Sequence, residues 1–110
     1  MIKPGDRLKL LREKIQQKGF VRIIEAHNGI SALVGEPASA HNGSSVVEYD
    51  GLWESSLTDS ASKGFPDVEV ISLDSRIHTI NEILEVTQNP LIVDGDTGRS
   101  PIEFEFLVRR

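Results

Sequence analysis

Three short runs of strand character, at residues 20–26, 50–55 and 91–93, alternate with longer stretches of helical pattern, and that alternation restricts what this chain can fold into. The first and last runs are rich in β-branched residues and too short to be helices, so they read as strands. Ahead of the first run, Leu8, Leu11 and Ile15 fall at i, i+3, i+7 behind a candidate N-cap, Asp6, and Gly19 supplies a stop. After it, His27-Asn28-Gly29 reads as a turn, and residues 30–34 begin a short helix. Residues 72–88 set Ile77, Ile80, Ile83, Leu84 and Thr87 on one helical face and stop at Asn89-Pro90. Ser100 and Glu103 form a capping box with Pro101 at the permitted first position, so a last helix opens there. The order α-β-α-β-α-β-α predicts an α/β fold with a parallel sheet.

Two segments interrupt the alternation. Residues 35–48 read as an insertion containing a hairpin turn at Asn42-Gly43. Residues 56–70 are polar, carry Gly64 and Pro66, and read as a long loop, the kind that covers a site.

Composition excludes several functions. The chain has no cysteine, hence neither a disulfide framework nor a thiolate zinc site. Its net charge of −5, without a basic tract, argues against nucleic acid. No run approaches the roughly 20 apolar residues of a membrane span, and Met1-Ile2-Lys3-Pro4-Gly5-Asp6 does not resemble a secretory signal. The expectation is a soluble, cytoplasmic chain with a small core.

In parallel α/β units, function gathers at the carboxyl ends of the strands. Glu25, His27 and Asn28 follow the first strand; Trp53, Ser55, Ser56 and Leu57 end the second; Asp94 and Asp96 follow the third. The run Asp94-Gly95-Asp96-Thr97-Gly98 carries the sharpest signal. Two carboxylates one residue apart in a dry cleft need a cation, and a divalent metal would neutralise both. Mg2+ suits such a pair, because it takes hard oxygen ligands and keeps several waters. The same run also fits an ordinary strand-to-helix loop. Trp53 fits either core packing or a ligand pocket; Ser55 and Ser56 fit either loop filler or carboxylate binding. Asp67, in the long loop, fits either solvation or contact with a ligand on closure. His78 falls off the apolar stripe and reads as a surface residue.

Three segments in order carry a resemblance: Glu25-Ala26-His27-Asn28-Gly29-Ile30-Ser31-Ala32, then Asp50-Gly51-Leu52-Trp53-Glu54-Ser55-Ser56-Leu57, then Asp94-Gly95-Asp96-Thr97-Gly98. Together they resemble the phosphoenolpyruvate mutase and isocitrate lyase superfamily, in particular its phosphomutase branch, over roughly residues 20–110. The resemblance implies a (β/α)8 barrel with Mg2+ at its mouth. A full barrel needs about 250 residues, so residues 1–110 correspond to its N-terminal portion, a leading helix and about three β/α units. It implies that Asp94 is the carboxylate nearest the metal and that Asp96 is a second metal-site acid acting largely through bound water. Ser55, Ser56 and Leu57 match the segment that holds the substrate carboxylate, although many relatives have Gly where this chain has Ser56. Trp53 matches an aromatic lining the pocket, and Asp67 matches a catalytic acid of the covering loop.

The implied activity is interconversion of phosphoenolpyruvate and phosphonopyruvate, with a small oxo-acid or phosphonate as substrate and a homo-oligomeric enzyme. Phosphonopyruvate hydrolysis and isocitrate lyase-type C–C cleavage are the neighbouring alternatives. Further acids and basic phosphate-holding residues of the family fall after the third strand, so these 110 residues alone are expected not to turn over substrate. A non-catalytic assembly module is the alternative from another class, since part of a barrel leaves a sheet edge and an apolar face open.

Overall fold

The computed structural model describes residues 2–109. Helix α1 spans Pro4–Lys18, strand β1 Ile23–Ala26 and helix α2 Gly29–Gly35. A hairpin follows, β2 Ser39–Asn42 and β3 Ser45–Glu48, then β4 Gly51–Glu54 and α3 Ser56–Ser62. Helix α4 Leu73–Val86, strand β5 Leu91–Val93 and helix α5 Pro101–Arg109 complete the order. Strands β1, β4 and β5 form one parallel sheet in that order, with Ile24 opposite Leu52 and Leu52 opposite Leu91. The expected α/β architecture is present, and successive parallel strands are neighbours, as in consecutive units of a barrel.

Local signals account for most boundaries. Gly19 ends α1 at φ 76°, and its N–H donates to the Ile15 carbonyl. Helix α1 starts earlier than Asp6 suggested: Pro4 opens it, and Asp6 lies in its first turn. Asn28, read as a turn residue, caps α2 by accepting from the Ser31 N–H, while the Ser31 hydroxyl accepts from the Asn28 N–H. The Ser100–Glu103 capping box forms as expected. Residues 39–48 form an antiparallel hairpin whose two turn residues are Gly43 and Ser44. Gly43, at φ 65°, takes the first central position, so the turn sits one residue later than Asn42-Gly43 implied.

The reading of residues 56–70 as one loop needs correction, because Ser56–Ser62 is helical. Ser55 caps this helix, its Oγ accepting from the Thr58 N–H at 3.4 Å.

Alternation along the strands separates two faces. Ala26, Leu52 and Ile83 with Ala32 form a small apolar core under α2 and α4, and Ile24 and Leu91 pack against it. Glu54 follows Leu52 on that covered face, whereas Trp53 points to the other and is 43% exposed. Where β4 meets the segment entering β5, a Cβ on Gly51 would lie 2.9 Å from the Pro90 carbonyl oxygen, so only glycine allows this approach.

The amino end of the sheet is clasped by α1. Arg7, buried, donates to Thr87 Oγ1 at 3.1 Å, to the Asn89 carbonyl at 2.9 Å and to the Leu84 carbonyl at 3.1 Å, closing the carboxyl end of α4. Lys14 donates to the Asp50 carbonyl and to Asn89 Oδ1, and Lys18 pairs with the Asp50 carboxylate. This end is held for stability and leaves the opposite end for chemistry.

Candidate functional site

At the carboxyl ends of β4 and β5 the chain builds a polar cluster on a buried floor. Ser56 opens α3 immediately after β4, and its Oγ donates to Asp94 Oδ2 at 2.9 Å. The Asp96 N–H donates to Asp94 Oδ1 at 2.9 Å. Burial opposes ionisation of Asp94, but the hydrogen bonds from Asp96 and Ser56, with Arg76 nearby, outweigh it and hold its carboxyl below the ordinary range. Asp94 is therefore an anion at neutral pH, with lone pairs left on both oxygens.

Asp96 has a different setting. Its Oδ2 accepts from Arg76 Nη1 at 2.8 Å. Arg76 is 5% exposed on α4, and its Nη2 donates to the Asp94 carbonyl at 2.6 Å and to Glu54 Oε2 at 2.5 Å. Its Nε lies 3.1 Å from Asp59 Oδ2. Asp59 pairs in turn with Lys63 and accepts from Thr79 Oγ1 at 3.2 Å. One guanidinium thus ties β4, α3 and the loop after β5 to α4.

Burial pushes the Glu54 carboxyl up; Arg76 opposes this and Asp59 adds to it, and the result is about 7, against an ordinary value of 4.5. Between these two values the folded state binds more protons than the unfolded one, so stability falls as pH rises through that window. Glu54→Gln removes this dependence. Denaturant titrations of the full-length protein from pH 4.5 to pH 8 should show wild type losing a few kcal/mol relative to Glu54→Gln. Parallel profiles would contradict a buried, proton-holding Glu54.

The other expected site residues are distributed around this cluster. Leu57 is exposed in the first turn of α3, and Trp53 stands on the open sheet face in register with Glu25 of β1. Thr58 donates to Glu25 Oε1, and His27 Nδ1 lies 3.0 Å from the same oxygen, joining the end of β1 to α3. Asp67 is exposed in the turn after α3 and takes no part in the Ser56–Asp94–Asp96 network. Its loop is nevertheless attached to the loop after β5. Thr97 Oγ1 donates to Glu69 at 2.8 Å, and Arg99 donates to the Ile71 carbonyl. His78 is a surface residue as expected, 3.1 Å from Glu82.

Sequence reasoning missed Glu54, Asp59, Arg76 and Thr79. The available signal was the stripe 76, 79, 83, 87 along α4 and its C-cap, which is buried although three of its four members are polar. Among the described residues, no three His, Cys, Asp or Glu side chains converge to hold a metal ion. Asp94, anionic and paired with no cation among the described residues, is the residue able to give a metal a direct ligand. Mg2+ binds through one or two carboxylates and completes its shell with water and substrate, so the donor set fits it.

The chain matches the phosphoenolpyruvate phosphomutase family over residues 11–110. It belongs to that family. A phosphoenolpyruvate phosphomutase of Tetrahymena pyriformis is 33% identical over 88 residues, 80% of this chain and 26% of its own length. The crystal structure of a phosphoenolpyruvate phosphomutase from Streptomyces platensis subsp. rosaceus superposes with a TM-score of 0.78 at 29% identity, over 92% of this chain and 32% of that one. A phosphonopyruvate hydrolase in complex with oxalate and Mg2+ superposes with a TM-score of 0.78 at 25% identity, over 93% of this chain and 33% of its own. The chain therefore spans about a third or less of the length of these family relatives. Its three-stranded sheet corresponds to part of their fold, and among the described residues no helix is long and apolar enough to cross a membrane.

Proposed function

We propose that these residues form the Mg2+- and oxo-acid-binding corner of a phosphoenolpyruvate phosphomutase, an enzyme that interconverts phosphoenolpyruvate and phosphonopyruvate. The observation that carries this reading is the pairing of Ser56, at the end of β4, with an ionised Asp94, at the end of the adjacent parallel strand β5.

Phosphoenolpyruvate bonds phosphorus to oxygen and phosphonopyruvate bonds it to carbon; breaking either bond leaves a pyruvate enolate. Bound Mg2+ supplies Lewis-acid stabilisation of that negative charge. Asp94 would hold this ion directly, and Asp96 would act on it through bound water. Ser56 keeps the Asp94 carboxylate oriented, a role distinct from the substrate contact its position suggested. Ser55 and Leu57 flank the place where the substrate carboxylate rests, and Trp53 lines the open face beside it. Asp67 rides on the loop that closes over the site, excluding water so that the phosphoryl group is returned rather than hydrolysed. The enzyme is cytoplasmic and a homo-oligomer in this reading.

Phosphonopyruvate hydrolysis is the second reading, favoured by the equal superposition on the hydrolase. Phosphorus NMR of the full-length protein with phosphonopyruvate and Mg2+ separates the two. A phosphoenolpyruvate resonance is expected, inorganic phosphate alone would establish the hydrolase, and no turnover of either kind would remove the proposal.

A further inference from the structure

Resting on that reading, we infer that Arg76 is a positioning residue for the metal site. From its buried place on α4 it fixes the backbone at Asp94 and the carboxylate at Asp96, so that both acids are set before an ion arrives. Three observations support this. Arg76 donates to the Asp94 carbonyl at 2.6 Å and to Asp96 Oδ2 at 2.8 Å, gripping both ends of the Asp94-Gly95-Asp96 segment. Asp96 sits at φ 53°, a left-handed conformation that side-chain-bearing residues avoid and that needs support from its surroundings. The guanidinium is itself immobilised, by Glu54 at 2.5 Å and Asp59 at 3.1 Å, on elements that flank the site.

The arrangement divides labour between the two acids. Arg76 occupies Asp96 Oδ2 and neutralises that side chain, leaving Oδ1 outside the ion pair. Among the described residues no cation pairs with the Asp94 carboxylate, which accepts from the Ser56 hydroxyl, the Asp96 N–H and the Ser56 backbone N–H. One full anion is thereby presented for direct ligation, and one compensated acid is left to order water. Without the guanidinium, two bare carboxylates would repel each other across one residue.

The test is Arg76→Lys in the full-length protein. Lysine keeps the positive charge, so a change in metal affinity reports geometry and not electrostatics, and it lacks the planar fork needed to hold several acceptors at once. The probe is Mn2+, titrated by electron paramagnetic resonance without substrate. Partners that orient metal ligands typically contribute about 10–100-fold in affinity, and a weakening of that size is expected. Arg7→Lys is the comparison: it alters the buried arginine at the opposite end of α4 and should lower the melting temperature while leaving Mn2+ affinity unchanged.

Wild-type affinity in a folded Arg76→Lys protein would overturn the inference. So would equal losses of affinity in both variants, which would mark Arg76 as merely structural. Failure of the wild type to bind Mn2+ would overturn the metal reading itself and this inference with it.

Discussion

Arg76→Met should destabilise the full-length protein by about 3–5 kcal/mol, the usual consequence of removing one partner from a buried charge network. Methionine approximates the length of the side chain but leaves Glu54 and Asp59, both fully buried, without their cation. It also strips a donor from the Asp94 carbonyl and from Asp96. The apolar core is small, with Ala26, Ala32, Leu52 and Ile83 as its contiguous members, so little hydrophobic burial is available to offset the loss. The deficit should widen from pH 5 to pH 8, because at the lower pH the orphaned carboxyls can take up protons and become neutral. Adding Glu54→Gln should recover part of it by removing one buried charge. Urea titrations at both pH values decide the matter. A loss below about 1 kcal/mol, or no pH dependence, would show that the cluster behaves like a surface ion pair.

This network also marks the boundary of what the sequence discloses. The alternation of strands and helices was legible because local chemistry and tertiary structure agree there. Asn28 and Ser100 cap their helices, Gly19 stops α1, and the short runs at β1 and β5 are β-branched. Helix α3 was not legible, because Ser56-Leu57-Thr58-Asp59-Ser60-Ala61-Ser62 has no apolar period and is built from residues that favour caps and turns. Its buried face is polar, and Asp59 becomes tolerable there only because Arg76, Thr79 and Lys63 meet it. Two carboxylates one residue apart in a cleft need a cation to offset them. For Asp96 the protein itself supplies one, from a helix 20 residues upstream that no local spacing reveals. An apolar stripe drawn through Ile77, Ile80, Ile83 and Leu84 places Arg76 near its margin, whereas the buried line passes through Arg76, Thr79, Ile83 and Thr87.

The larger catalytic effect should come from Asp94. Asp94→Asn in the full-length protein should lower kcat/KM for phosphonopyruvate about a thousandfold, equivalent to roughly 4 kcal/mol of transition-state stabilisation, the scale expected when a Lewis-acid metal is lost. Asparagine retains an oxygen for the Ser56 hydroxyl or the Asp96 N–H, so the carboxyl ends of β4 and β5 should remain joined and the fold should survive. What disappears is the anion. In wild type its ionised state is secured by the Asp96 N–H and Ser56 acting against burial. The same logic predicts a milder result for Ser56→Ala. That change removes one of the donors holding the carboxylate below its ordinary range, raising its proton affinity without deleting a ligand, so Mg2+ binding should weaken chiefly on the acid side. Circular dichroism establishes that Asp94→Asn is folded, and steady-state kinetics over a Mg2+ series separate lost affinity from lost turnover. Wild-type kcat/KM in folded Asp94→Asn would mean that the charge beyond β5 belongs to the architecture and not to the chemistry.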